Sequence, residues 1–282
     1  MTDEIKEKYL GKPINCLDKG FVRLVDIMGD DSAIVQAARV SYGAGTKSVN
    51  EDEGLIRYLI RHRHTSPFEM VEYKFHIKLP IFIARQWIRH RTANVNEYSG
   101  RYSEMKDEFY IPDIDQIRTQ SSLNKQGRSE ERLNSESAAT IASMLNVSQR
   151  HLYEEYLYYL EQNTAREIAR INLPLSTYTE WYWKIDLHNL FHFLELRLDS
   201  HAQYEIRIYA DKIAEIVKAC NPLAWQAYED YVLNGITFSR QELNLLKDVT
   251  KDFAFEPEVL KTYGLSGLEA REFKIKLEKM YE

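Results

Sequence analysis

Between Arg85 and Tyr102 the chain reads Arg-Gln-Trp-Ile-Arg-His-Arg-Thr-Ala-Asn-Val-Asn-Glu-Tyr-Ser-Gly-Arg-Tyr, with four arginines against one glutamate. The whole chain is acidic, with 43 Asp plus Glu against 37 Lys plus Arg and a net charge of −6. This cationic stretch therefore runs against the balance around it. A guanidinium fork makes two parallel charge-assisted bonds to a planar oxyanion at once. Asn94, Asn96, Ser99 and Gly100 add amide, hydroxyl and unobstructed backbone donors. Together these suit a phosphate joined to a polar heterocycle.

Other chemistries leave weaker traces. A thiolate nucleophile needs an electropositive pocket. Cys16 lies between Asn15 and Leu17 before the first expected strand, and Cys220 lies at a helix end beside Lys218 and Asn221-Pro222. The two form no CxxC or metal-type pair. No GxGxxG follows a strand, and there is no P-loop. His188 and His192 stand four residues apart, so both point to one helix face, a spacing zinc enzymes use. No HExxH glutamate lies between them, and they stay open as ligands or as ordinary histidines. His62 and His64 sit in a short basic run without aromatic interleaving, as expected of a solvated face. Two cysteines and no secretory leader point to a reducing cytoplasm. No run of about 18 apolar residues occurs, so no membrane span is expected.

The elements that must hold these residues are legible from periodicity. Residues 20–28 alternate as a first strand. Asp31 to Tyr42 reads as a helix capped by Asp31 and closed by Ser41-Tyr42-Gly43-Ala44-Gly45. Glu51 to His62 reads as a second helix, broken at Thr65-Ser66-Pro67 because proline cannot continue the donor pattern. From Met70 to Leu79 the alternation is strict. Val71, Tyr73, Phe75, Ile77 and Leu79 take one face, and Glu72, Lys74, His76 and Lys78 the other. Pro80 then opens a helix to about His90, so the cationic stretch starts on a helix end and continues as a loop.

Glu108 to Ile111 reads as a short strand, and residues 113–135 as a polar excursion or mobile loop. Ser137 to Gln162 reads as one long helix, with or without a break near Ser148, and Ala165 to Leu173 stays helical until Pro174. Ser176 to Lys184 is extended and aromatic, its rings expected in the core. Asp186 caps a helix from Leu187 to Leu198, another runs from Ser200 to Ala219, and Asn221-Pro222 ends it. A domain over 1–234 and a charged helical extension over 235–282 follow. The fold class is α+β, a helix-rich domain around a small, mostly antiparallel sheet.

Arg89-His90-Arg91-x-x-Asn94-x-Asn96-x-x-Ser99-x-Arg101 resembles the signature of the flavin-dependent thymidylate synthases. That signature is Arg-His-Arg, two residues, Ser, one, Asn, two, Ser, one, Arg. Six of its seven fixed positions match, Asn94 standing where the family usually carries serine. The resemblance covers about residues 20–225. It implies reductive methylation of dUMP to dTMP with FAD, with NADPH as reductant and methylenetetrahydrofolate as carbon donor. No enzyme cysteine takes part, and the flavin is held by a scaffold other than a dinucleotide fold. It further implies a homotetramer with active sites between subunits, which fits segments that need not meet within one chain.

By resemblance, Arg197, in Leu196-Arg197-Leu198-Asp199-Ser200-His201-Ala202-Gln203, polarises the pyrimidine. A cationic donor aimed at developing charge is worth roughly 3–4 kcal/mol. The plain alternative for an arginine at a helix end is a dipole partner. The resemblance assigns dUMP to Gln86, Arg89, Glu97, Ser99, Gly100 and Arg101, with Arg170 joining from a second chain. It assigns FAD to Ser41, Ser66, Arg89, His90, Arg91 and Glu97, and to Asp186, His188 and His192, with His64 near the flavin cleft. The last three depart from the Asn, Arg and Asn frequent in relatives, and Asp186 serves equally as a helix cap. No metal is assigned.

Two rivals belong to other classes. A nucleotide- or RNA-binding module built on the arginines would bind RNA with steep salt dependence, and the acidic total charge opposes it. A metal hydrolase built on His188, His192 and His201 would need all three to converge.

Overall fold

A computed structural model describes residues 2–40, 49–122, 125–250, 260 and 262–281. Its centre is a five-stranded antiparallel sheet, in the order β1 (Pro13–Cys16), β2 (Gly20–Met28), β3 (Glu72–Pro80), β7 (Tyr178–Asp186) and β4 (Asn94–Glu97). The strict alternation of β3 sets the sheet's two faces, because successive side chains point to opposite sides. Tyr73, Phe75, Ile77 and Leu79 are fully buried. They stand opposite Ile185, Trp183, Trp181 and Thr179 of β7. Helices α4 (Ile81–Trp87), α7 (Leu187–Leu198) and α8 (Tyr204–Cys220) pack on this sheet.

The opposite face is mostly charged, with the rings of Phe21 and Tyr182 packed on His76. Lys78 pairs with Glu108 at 2.6 Å, His76 with Glu180 at 3.0 Å, and Lys184 with Glu72 at 2.5 Å. On the polar half of β3, Glu72 and Lys78 are satisfied by ion pairs, while His76, its pKa lowered by burial and the Arg23 charge, is held by hydrogen bonds to Arg23 and Glu180.

Several expectations need correction. The cap of α2 (Asp31–Arg39) is Asp30, whose carboxylate accepts from Ser32 N–H. Asp31 instead reaches across the fold and accepts from the backbone N–H groups of Leu223 and Ala224 at 2.9 and 3.1 Å. It thereby caps α9 (Pro222–Tyr228), a helix that follows the expected stop at Asn221-Pro222. Further ties join the same distant segments. Tyr73 donates to Asn221, and Arg57 of α3 (Val49–Arg61) pairs with Asp230 at 2.6 Å.

Helix α4 ends at Trp87, three residues early. Asn94–Glu97 is an edge strand, where a loop was expected. Four residues with two asparagines carry little strand propensity; backbone pairing with β7 supplies the order. Residues 108–111 make only an isolated bridge, Phe109 with Thr177. The polar excursion contains a hairpin, β5 (Arg118–Gln120) with β6 (Arg128–Arg132). Helix α5 (Ser135–Glu161) runs 27 residues without a break at Ser148, capped by Asn134. Helix α8 begins at Tyr204, since 199–203 turn before it. The turn expected at Ser41–Gly45 lies outside the described residues.

Two compact units emerge, 1–233 and 234–282. In the second, Arg240–Thr250 and Gly267–Tyr281 are helical. Each is preceded by a reciprocal cap, Ser239 with Glu242 and Ser266 with Glu269, the serine-x-x-glutamate signature of a helix start. Among the described residues no helix is long and apolar enough to cross a membrane.

Candidate functional site

Trp87 anchors the start of the cationic segment. It is wholly buried, edge-on to Trp183 at 5.1 Å and 89°. A ring fixed this way places its neighbours at the rim of the sheet. Gln86 and His90 end up half-buried, while Arg85, Arg89 and Arg91 are exposed. Among the described residues neither Arg89 nor Arg91 has a carboxylate partner.

His90 packs edge-on to Phe193 of α7, ring centroids 4.9 Å apart, with His192 at 6.1 Å. The Arg197 Nε–H donates to its Nε2 at 3.1 Å. An imidazole nitrogen that accepts carries no proton, so the neutral ring holds its proton on Nδ1. Burial, then the Arg197 charge, then His192, push His90 down to about 4. Burial also lowers Arg197. The fork of Arg197 is thus steadied by a neutral partner, and among the described residues its two Nη groups are unengaged.

On the other side of Gln86 runs a polar relay. Gln86 Nε2 donates to Gln203 Oε1, and Gln203 Nε2 donates to Glu205 Oε2 at 2.8 Å. Glu205, 3% exposed, takes both oxygens to the Arg128 guanidinium at 2.5 and 2.7 Å and accepts from the Tyr110 hydroxyl at 3.1 Å. A polar cleft of about 880 Å³ opens between the β5–β6 hairpin and residues 200–207, lined by Arg118, Arg128, His201, Gln203 and Arg207 among others.

A second group forms around the turn after β4. The Arg101 backbone N–H reaches Ser99 Oγ at 3.3 Å, and the Arg101 guanidinium pairs with Glu167 at 3.1 Å. Both partners are more than half exposed, so this pair holds Arg101 weakly. A Cβ on Gly100 would come within 2.7 Å of Met105 Sδ and 3.1 Å of Arg170 Cδ. The bare glycine lets Arg170 close on the turn. Glu97 accepts from the Thr179 hydroxyl at 2.7 Å.

Arg170 lies against Gly100 of its own chain, so these two residues act as one unit. Arg197 likewise meets His90 of its own chain, so the arginine-rich stretch and the helices do meet within one chain. The candidates form two groups, one around Gln86, His90 and Arg197, the other around Ser99, Gly100, Arg101 and Arg170. Among the described residues no hydrogen bond, ion pair or ring contact joins them.

The remaining flavin candidates gather near α7. Ser66 opens a turn, Ser66–Met70, that rests on α7 through Phe68 and Phe191. Asp186 spends its carboxylate on the helix start, accepting from Asn189 N and Nδ2 at 2.9 and 2.7 Å. His188 is half-buried, and exposed His192 lies 3.7 Å from Glu195. His64 stacks with Tyr58 at 6.0 Å. Ser41 lies outside the described residues. Among the described residues no three His, Cys, Asp or Glu side chains converge as a metal site, so His188, His192 and His201 do not meet. Arg89 and Arg91 flank His90, the partner of Arg197, and these guanidinium donors suit an anionic, acceptor-rich group such as a flavin nucleotide.

Both cysteines are buried. Burial raises Cys16 to about 12 and Cys220 to about 11, so each is a thiol near neutral pH, where a nucleophile must be a thiolate. Sequence reasoning missed Glu205, Arg128 and Tyr110. Gln203 sat in a quoted motif without a role, and Arg128 lay in a stretch with no period to mark it.

A sequence profile described as "Thymidylate synthase complementing protein" matches residues 23–223. The chain is 53% identical over 272 residues to a flavin-dependent thymidylate synthase of Ruegeria pomeroyi, covering 95% of this chain and 89% of that one. It is 54% identical over 268 residues to another from Treponema denticola, covering 95% and 98%. Among solved structures, the UMP/dUMP methylase PolB of Streptomyces cacaoi bound with 5-Br dUMP superposes with a TM-score of 0.71. The two share 32% identity over 79% of this chain and 100% of that one.

Proposed function

The chain belongs to the flavin-dependent thymidylate synthases, and from that membership we propose that its flavin is FAD, its reductant NADPH and its carbon donor methylenetetrahydrofolate. The activity is flavin-dependent thymidylate synthesis, dUMP to dTMP. When bound, the flavin supplies the hydride chemistry of the methylation.

The observation that carries this reading is the His90–Arg197 contact beside the cationic stretch, in a chain whose two thiols are buried and protonated. Without a thiolate to add to the ring, the pyrimidine must be activated electrostatically. Arg197 takes that role, its Nη donors aimed at negative charge developing on the uracil edge. A fixed donor does this without reorganising as charge builds. Neutral His90 holds the guanidinium without adding a second charge.

The phosphate is bound by backbone N–H groups at Ser99 and Gly100 with the Arg101 and Arg170 forks. Gln86, Arg89 and Glu97 orient the rest of dUMP. Arg89, His90, Arg91 and Ser66 hold FAD, joined by Glu97, Asp186, His188, His192 and Ser41. We also propose a homotetramer with active sites between subunits, working in the cytoplasm. In support, the two groups of candidates are separately held, as expected if each chain lends one group to one site and the other to a second site.

The test is an absorbance spectrum of the purified protein, followed by NADPH oxidation coupled to tritium release from labelled dUMP. Flavin bands and coupled turnover are expected. A colourless protein that stays inactive after FAD is added rejects the reading.

A further inference from the structure

The relay behind Gln86 fixes which end of its amide faces outward. Glu205 receives Arg128 on both oxygens, Tyr110 on Oε1 and Gln203 on Oε2. A carboxylate so paired is acceptor-only, and it is buried, so whatever touches it must donate. Gln203 therefore turns its NH₂ to Glu205 and its carbonyl to Gln86. Gln86 must then give its NH₂ to Gln203, which leaves its own carbonyl oxygen for the ligand. Flipping Gln203 would press its carbonyl against the carboxylate and set two NH₂ groups face to face, leaving partners unpaired where that is costly.

Building on the reading that Gln86 touches dUMP, we infer that Gln203 and Glu205 are positioning residues that hold Gln86 as a fixed hydrogen-bond acceptor for a donor of the nucleotide. At neutral pH dUMP has two such donors, N3–H of the base and the 3′-hydroxyl; its phosphate and carbonyl oxygens accept. Arg128 comes from the β5–β6 hairpin, so the hairpin's seating and the amide's direction are tied through one carboxylate. A site built this way rejects a ligand that offers an acceptor at that point, because Gln86 cannot turn without breaking the bond to Gln203.

The test measures equilibrium binding of dUMP, its N3-methyl analogue and its 3′-deoxy analogue to the flavin-loaded protein. Wild type is compared with Gln203→Met, Glu205→Gln and Gln86→Met. Gln203→Met removes the relay and keeps the Glu205–Arg128 pair, so it remains informative if Glu205→Gln fails to fold. Wild type should bind one analogue roughly three- to tenfold more weakly than dUMP, the span of one ordinary hydrogen bond. Gln203→Met and Glu205→Gln should weaken dUMP by a similar factor, lose that discrimination, and keep full flavin content. The inference is overturned if either folded variant discriminates as wild type does, or if wild type tolerates both analogues. Unchanged dUMP affinity in Gln86→Met would remove its premise. Failure of wild type to bind dUMP at all would instead strike the functional reading.

Discussion

Lowering the pH should weaken the folded protein through His90, by an amount set by its surroundings. An ordinary histidine titrates near 6.5, and His90 is pushed down to about 4 by burial first and the Arg197 charge second. Between those values the unfolded chain binds a proton that the folded chain refuses, so stability rises with pH across the window. The contribution is complete above pH 6.5 and is lost as pH falls towards 4. Unscreened, the gap would amount to about 3 kcal/mol. His90 is only half-buried, so solvent screening leaves roughly 1–2 kcal/mol.

The partner for comparison is His90→Gln, whose amide oxygen still accepts from Arg197 Nε but does not titrate. Urea unfolding of both proteins at pH 7.5 and pH 4.5 isolates the histidine. Wild type should lose about 1–2 kcal/mol more than the variant over that span. A ¹⁵N spectrum of the imidazoles should place the proton of His90 on Nδ1. A His90 that titrates at or above 6.5, or a stability difference that does not change with pH, refutes the assignment of a neutral acceptor beside Arg197.

Arg197→Ala should lower kcat for dUMP turnover by roughly 10²–10³, the usual loss of one fixed donor to developing charge; an unchanged kcat rejects its role. Replacing both Cys16 and Cys220 with alanine should leave turnover within a fewfold of wild type, and a folded variant without activity contradicts electrostatic activation. Asp31→Ala removes the acceptor of two backbone N–H groups at the start of α9 and should cost about 1–2 kcal/mol in urea unfolding. A loss no larger than that of an exposed carboxylate would show that α9 does not depend on it.

What the sequence made legible follows from how locally each feature is determined. The alternation of β3 and the cap at Asp186 are written in neighbouring residues, and both stand where the pattern puts them. The cationic stretch was legible as residue types. Its path was not, because the pairing that straightens Asn94–Glu97 is supplied by β7, more than eighty residues on. The same limit hid the relay. Glu205 stands in the first turn of α8, and nothing in its neighbouring residues marks the Arg128 and Tyr110 that close over it. Asp31 was taken for the cap of its own helix, since its service to Leu223 and Ala224 depends on a fold that brings α2 against α9.

Those ties also shape how the chain is made. Asp31, Arg57 and Tyr73 all find their partners between residues 221 and 230. On a ribosome the first third of the protein therefore waits, its polar anchors unmatched, until nearly the whole first unit has emerged. Contacts this distant in sequence form late, because a long loop must be closed before they contribute. Nascent chains stalled short of Asn221 should be open to proteases and chaperones, and release should come as one concerted step once the helix at Pro222 clears the exit tunnel.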